Sequence, residues 1–132
     1  MTSHEGFTIS TDPAKLDLAV IHGFLTTSYW SPGIARERVE RAIRHSLPFG
    51  VYEGERQVGF ARVITDYTSF AYLADVFVLD AYRGRGLALW LMETILAHPE
   101  LQDLRRWLLA TRDAPRHCCE SGLARSRATR RC

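Results

Sequence analysis

An α+β (mixed α/β) fold is predicted, with one central, mostly antiparallel sheet carrying helices on both faces. Three observations predict it. The apolar patterns follow the order β-α-α-β-β-β-α-β along a chain of 132 residues, a length that suits a single core. The stretch "FGVYEGERQVGFARVI" reads as a hairpin, so its strands run antiparallel. The strand "SFAYLADVFVL" then passes through a helix to a further strand, and such a crossover makes two strands parallel.

Each element has its own warrant. "GFTIS" is a short β-prone run. "TDPAKLDLAVIHGFL" is predicted as one helix, with Asp12 as its cap and Pro13 at the first helical position. Leu16, Val20 and Phe24 would share its apolar face. "TTSYWSPG" is a loop, and "IARERVERAIRHS" is a second helix with a narrow apolar stripe through Val39, Ala42 and Ile43. Glu53-Gly54-Glu55 turns the hairpin between strands around 49–53 and 57–64. The next strand is mostly apolar and is placed centrally. The helix after it buries Leu87, Leu91 and Ile95, and His98-Pro99 ends it. "RRWLLAT", 105–111, is the last strand.

Charge divides the chain unevenly. Residues 1–111 sum to −2 and residues 112–132 to +4, with Cys118, Cys119 and Cys132 all in the tail. An odd cysteine count without a visible secretory signal points to free thiols, and their spacing fits no zinc site. The opening MTSHEGFTIS lacks the basic start and apolar core of a signal peptide. LALWLMETIL is too short to span a bilayer. A cytoplasmic protein without membrane partners is therefore expected. Division into a domain over 1–113 and an atypical tail over 114–132 follows from the same contrast.

The chemistry concentrates at "DVFVLDAYRGRGLALWLMETIL", residues 75–96, where a strand hands over to a helix through two glycines and two arginines. The first N–H groups of a helix lack partners and sit at the positive end of its dipole, which suits a phosphate. Gly84 and Gly86 let a diphosphate approach the backbone and permit positive φ. Arg83 and Arg85 add guanidinium donors. The alternative from these four residues alone is an ordinary solvated turn. A P-loop is absent, and Leu89 stands where a dinucleotide fingerprint needs its third glycine.

Arg83-Gly84-Arg85-Gly86-Leu87-Ala88 resembles the [QR]-x-x-G-x-[GA] signature of the GCN5-related N-acetyltransferase (GNAT) family, and the order of elements over about 7–113 is similar to that family's. The resemblance implies acetyl-CoA as co-substrate. Main-chain groups of Val76, Phe77 and Val78 would pair with the pantetheine arm, and amides from Gly84 to Leu89 would hold the pyrophosphate. Thr111 falls at a further cofactor-side position of the family's next motif. The implied reaction is attack of an amine on the thioester, so a base or water relay must first deprotonate the ammonium. An amide near Phe77 or Val78 would steady the oxyanion.

Asp75, a carboxylate inside an apolar strand, is the base candidate, burial being expected to raise its pKa. A hydrogen-bonded strand-end aspartate, or a carboxylate that recognises the cationic substrate, is the other reading. Tyr72 is a second polar group on that strand and falls on the opposite face from Asp75 if the strand is regular. Tyr29 and Trp30 lie in the loop that lines the acceptor pocket in the family, where they wall a substrate or simply plug the core.

The chain departs from the family after Thr111. Cys118 stands where members usually carry the tyrosine that protonates the leaving thiolate. Pro115 falls early in the expected helix. Residues 124–132, ARSRATRRC, contain no β-prone run, so the C-terminal strands are missing or altered. One lysine against sixteen arginines fits a GC-rich gene, and a shifted reading frame accounts for such a tail. An unpaired sheet edge then offers a route to a homodimer. The expected function is acetyl transfer to a small-molecule or protein amine. The alternatives are a crippled acyl-CoA-binding relative and, least favoured, nucleic-acid binding through a tail with no interleaved aromatics.

Overall fold

The computed structural model describes residues 6–28 and 30–109. Strand β1 spans Phe7–Ser10, β2 Leu47–Glu53, β3 Arg56–Thr65, β4 Phe70–Val78 and β5 Arg106–Leu109. Helix α1 spans Leu18–Leu25, α2 Arg36–Arg44 and α3 Leu87–Leu96. The sheet order is β1-β2-β3-β4-β5. The first three pairings are antiparallel and the last is parallel, as predicted. Among the described residues no helix is long and apolar enough to cross a membrane.

Helices cover both faces of the sheet. Leu87, Leu91 and Ile95 of α3 pack with Phe49, Val51, Val63 and Leu73 in the larger core. Ile21, Leu25 and Val39, from α1 and α2, pack on Phe60 and Phe77 in the smaller one. Phe77 stacks on Phe24 at 4.1 Å between ring centres and 8° between planes.

The first helix begins later than its sequence suggests. Asp12 does cap, and Pro13 does occupy a first position, but of a 3-10 turn over Pro13–Lys15. The chain is extended at Leu16 and restarts as α1 when Asp17 accepts from the amides of Ala19 (3.1 Å) and Val20 (3.3 Å). The break has a tertiary cause: the Asp17 amide donates to Oε1 of Gln57, on β3, at 2.7 Å. Ile21 and Leu25 become the buried pair of α1, and Leu16 and Phe24 only half-bury beside them.

Gln57 is itself buried, and its Nε2 donates to the Gly59 carbonyl at 3.0 Å. Gln57→Leu keeps the volume but strands the Asp17 amide and that carbonyl. It is expected to cost about 1–3 kcal/mol, read as a lower denaturation midpoint with an unchanged m-value.

Gly50 lies mid-strand for a packing reason. A Cβ there would come within 2.7 Å of Cζ of Tyr52, whose ring covers the glycine. The Tyr52 hydroxyl is buried and, among the described residues, has no hydrogen-bond partner. Burial, with the Asp12 and Asp17 carboxylates adding to it, pushes this phenol up to about 12. The folded state thus resists ionisation that the unfolded chain undergoes near 10. The associated stability is present below about pH 10 and is lost as pH rises toward 12. A spectrophotometric titration should show one late-titrating tyrosine, absent in Tyr52→Phe.

Between β3 and β4, Asp66 organises a turn. Its carboxylate accepts from the Ser69 hydroxyl (2.6 Å) and from the amides of Ser69 (2.8 Å) and Thr68 (2.9 Å). These donors hold it well below the usual carboxylate range, the Ser69 side chain contributing most.

The feature that shapes the site is an irregularity in β4. Its register against β3 shifts between the Phe60 and Arg62 pairings, and Asp75 takes φ +55°. Strict alternation from Ala71 and Leu73, both in the α3-side core, would send Asp75 and Phe77 to that side too. With one extra residue in the ladder, Phe77 instead joins the α1/α2 core and Val78 the α3 core.

Candidate active site

Strand β4 ends at Val78, and a 3-10 turn over Asp80–Tyr82 leads into the glycine loop. Gly84 and Gly86 have φ of +80° and +76°. Gly86 caps α3 in the left-handed conformation and offers no side-chain acceptor. A Cβ on either glycine would meet nothing within 4 Å. Backbone conformation therefore requires glycine here, and the space before the loop is open. The first-turn amides of α3 begin without a capping side chain, as an anion site needs.

The two arginines flank this loop, and their guanidinium groups already have protein contacts. Arg83 donates through Nε to the Val78 carbonyl at 3.2 Å and pairs with Asp80 at 3.2 Å. The Arg85 guanidinium lies 5.2 Å from the centre of the Tyr82 ring, and the Tyr82 hydroxyl donates to Glu53 at 2.8 Å. Leu87 is core, whereas Ala88 and Leu89 are exposed in the first turn.

Phe77 and Val78 bury their side chains, and Val76 half-buries its own. On one edge Phe77 and Val78 pair with Phe60 and Gly59. On the other, the parallel ladder to β5 runs from Phe70↔Arg106 to Leu73↔Leu109. Among the described residues, Val76–Val78 have no ladder partner on that edge.

Asp75 differs from its sequence-based picture. It is not an isolated carboxylate in an apolar strand: Arg62 donates through Nε to Oδ2 at 2.9 Å, and Trp30 donates its indole N–H to Oδ1 at 2.9 Å. The two charged side chains keep only 16% and 12% of their exposure, so the pair is largely desolvated. A terminal nitrogen of Arg62 also donates to Ser46 Oγ at 3.1 Å, and that hydroxyl donates to the Ala42 carbonyl at 2.7 Å. The chain Trp30–Asp75–Arg62–Ser46 thus ties the α1–α2 loop to β4, β3 and the end of α2.

The bulge corrects the expectation for Tyr72. By alternation from Ala71 and Leu73 it lies on the α1/α2 face, and the bulge brings Asp75 onto that same face rather than the opposite one. Trp30 is 39% exposed and tilts against Phe24, with 6.3 Å between ring centres. Tyr29, Thr111 and Cys118 lie outside the described residues. Arg62 and Ser46 were not singled out by sequence. The signal for Arg62 was available: a cation between Ala61 and Val63 in an apolar strand needs a partner, by the logic that selected Asp75.

Known proteins share this architecture. Residues 15–119 match the acetyltransferase (GNAT) family. A GNAT-family protein from Xanthomonas campestris pv. campestris is 52% identical, over 82% of this chain and 77% of that one, with a TM-score of 0.80. A curated relative from Gibberella zeae, "Putative acetyltransferase FG08082", is 31% identical over 130 residues, 81% of this chain and 72% of its own. A GNAT-family acetyltransferase from Elizabethkingia anophelis, solved with acetyl-CoA bound, is 10% identical over 83% of this chain and 67% of that one, and at a TM-score of 0.63 it shares the fold alone. The bulged strand, the glycine loop and the α3 N-terminus thus stand in a chain that belongs to the acetyltransferase (GNAT) family.

Proposed function

We propose that this chain is an acetyl-CoA-dependent N-acetyltransferase that moves the acetyl group to a primary amine by direct attack on the thioester. One observation carries the reading. Two glycines in positive-φ conformations open onto an uncapped helix N-terminus, one 3-10 turn after a strand whose end, among the described residues, has no ladder partner on the β5 side. That combination fits a diphosphate joined to an extended amide-bearing arm. Amides from Gly84 to Leu89 would hold the diphosphate, and the main chain of Val76–Val78 the arm. The co-substrate supplies the activated acyl group.

The remaining work falls to side chains on the α1/α2 face. Asp75 attracts the ammonium of the acceptor, and its carboxylate oxygens keep lone pairs after accepting from Arg62 and Trp30. The ammonium loses a proton to this carboxylate, directly or through water, and the freed lone pair attacks the carbonyl carbon. An amide near Phe77 or Val78 steadies the oxyanion, the nitrogen of the tetrahedral intermediate gives up its second proton to water, and the C–S bond then breaks. The thiolate takes its proton from solvent or, if the tail reaches the site, from Cys118. Trp30 and Tyr72 flank the acceptor.

The missing tyrosine favours a second reading, an acyl-CoA-binding protein without turnover. Acetyl-CoA should raise the melting temperature under both readings. Release of free CoA thiol with a panel of amines separates them: an amine-dependent rate supports the enzyme. Binding with no release from any amine leaves only the binder.

A further inference from the structure

We infer that the acceptor amine carries an anionic group, a carboxylate or a phosphate, and that a cleft between α2 and β3 binds it. The inference deepens the acetyl-transfer reading and rests on it. The cleft has a volume of about 480 Å³ and is lined by Arg38, Arg41, Ala42 and His45, with Ser46, Arg62 and the apolar Ile64 toward the sheet. That volume is the scale of a small-molecule site.

The charges converge rather than scatter. Arg38, Arg41 and His45 stand at i, i+3 and i+7, on one stripe of α2 and its C-terminal cap, with the small Ala42 among them. Glu37 and Glu40 belong to a neighbouring stripe, and no carboxylate lines the cleft. Among the described residues, ion pairs within 4 Å are Arg62–Asp75 and Arg83–Asp80. Among the described residues, Arg38 and Arg41 therefore face the cleft without a carboxylate partner. Guanidinium forks match the oxygens of a carboxylate or phosphate.

Arg62 links this cleft to the reaction site. Arg62 lines the cleft, and its guanidinium donates to Asp75, where the ammonium is placed. An acceptor spanning the two would put its amine at Asp75 and its anion beside Arg38 and Arg41. Amino acids and aminoalkyl phosphates have this chemistry. A polyamine would carry a second positive charge into the arginines.

The test has two arms. In the first, CoA-thiol release is compared for size-matched pairs: β-alanine with its amide, and O-phosphoethanolamine with ethanolamine. At least one anionic member should exceed its neutral partner by about tenfold or more in kcat/KM, and Arg38→Gln/Arg41→Gln should cut that ratio to about twofold or less. The pair that shows the preference separates a carboxylate from a phosphate acceptor. The second arm needs no turnover: inorganic phosphate is titrated into protein saturated with CoA, which occupies the glycine loop. Binding should weaken by about fivefold or more in the double variant and with added salt. Loss of acetyl-CoA binding would overturn the acetyl-transfer reading, yet leave this second arm readable by comparing the variants. Equal use of charged and neutral partners, or phosphate binding indifferent to Arg38 and Arg41, would overturn the anion cleft.

Discussion

Gly86→Glu should weaken acetyl-CoA binding by about a hundredfold or more, since like charges brought together cost several kcal/mol and each 1.4 kcal/mol is about tenfold. Gly86 is the cap of α3, at φ +76°, with open space where its side chain would be. A glutamate there sends a carboxylate into the volume assigned to the diphosphate and also strains the backbone. The strain must be separated from the charge. Gly86→Ala supplies the control, because it imposes the same left-handed penalty of about 1–2 kcal/mol on folding without adding charge. Calorimetric titrations of wild type, alanine and glutamate variants should therefore rank in that order, with the large step between alanine and glutamate. Equal affinity across all three would place the diphosphate elsewhere and remove the basis of the proposed activity.

Substitution of Asp75 should produce the largest loss of stability among site residues, and its size should depend on what replaces the carboxylate. Breaking a desolvated pair by removing one partner costs about 3–5 kcal/mol, because the other charge stays buried. Asp75→Val does this to Arg62, removes the acceptor of the Trp30 indole, and puts a β-branched side chain at φ +55°. That conformation adds about 1–2 kcal/mol. Asp75→Asn keeps an acceptor and tolerates the left-handed region, so it should cost less, about 1–3 kcal/mol. The double variant Arg62→Met/Asp75→Asn should recover part of the loss, giving a coupling energy that urea denaturation of the four-member cycle can read. If Asp75→Asn were as stable as wild type and Arg62→Met no less so, the pair would contribute nothing to the fold.

Both experiments bear on separate parts of the site. On the proposed reading the glycine loop concerns the co-substrate, and its variants should leave the Trp30–Asp75–Arg62 chain intact. Asp75 concerns the acceptor side and the joint between the sheet and α1. Acetyl-CoA affinity should consequently survive Asp75→Asn within about threefold, as expected for sites without shared partners. A matching collapse of affinity would mean that the bulge itself is lost.

By itself the sequence determined the sheet, its flanking helices and the glycine loop, because these rest on local signals. The hairpin turn made β3 legible and a mostly apolar run made β4 legible, the Leu87, Leu91, Ile95 spacing made α3 legible, and two glycines can adopt at the turn what other residues adopt only under strain. Only the tertiary structure decided where α1 begins, since the break at Leu16 depends on Gln57 reaching the Asp17 amide from forty residues away in sequence. The same holds for Asp75. Its position in β4 could be read, but its face could not, because a bulge of one residue reverses the alternation on which any sequence-based assignment relies. Its partners Trp30 and Arg62 lie 45 and 13 positions away, and no local pattern encodes a contact over such separations. Periodicity carries the fold; the pairing of buried charge exists only once distant segments have been brought together.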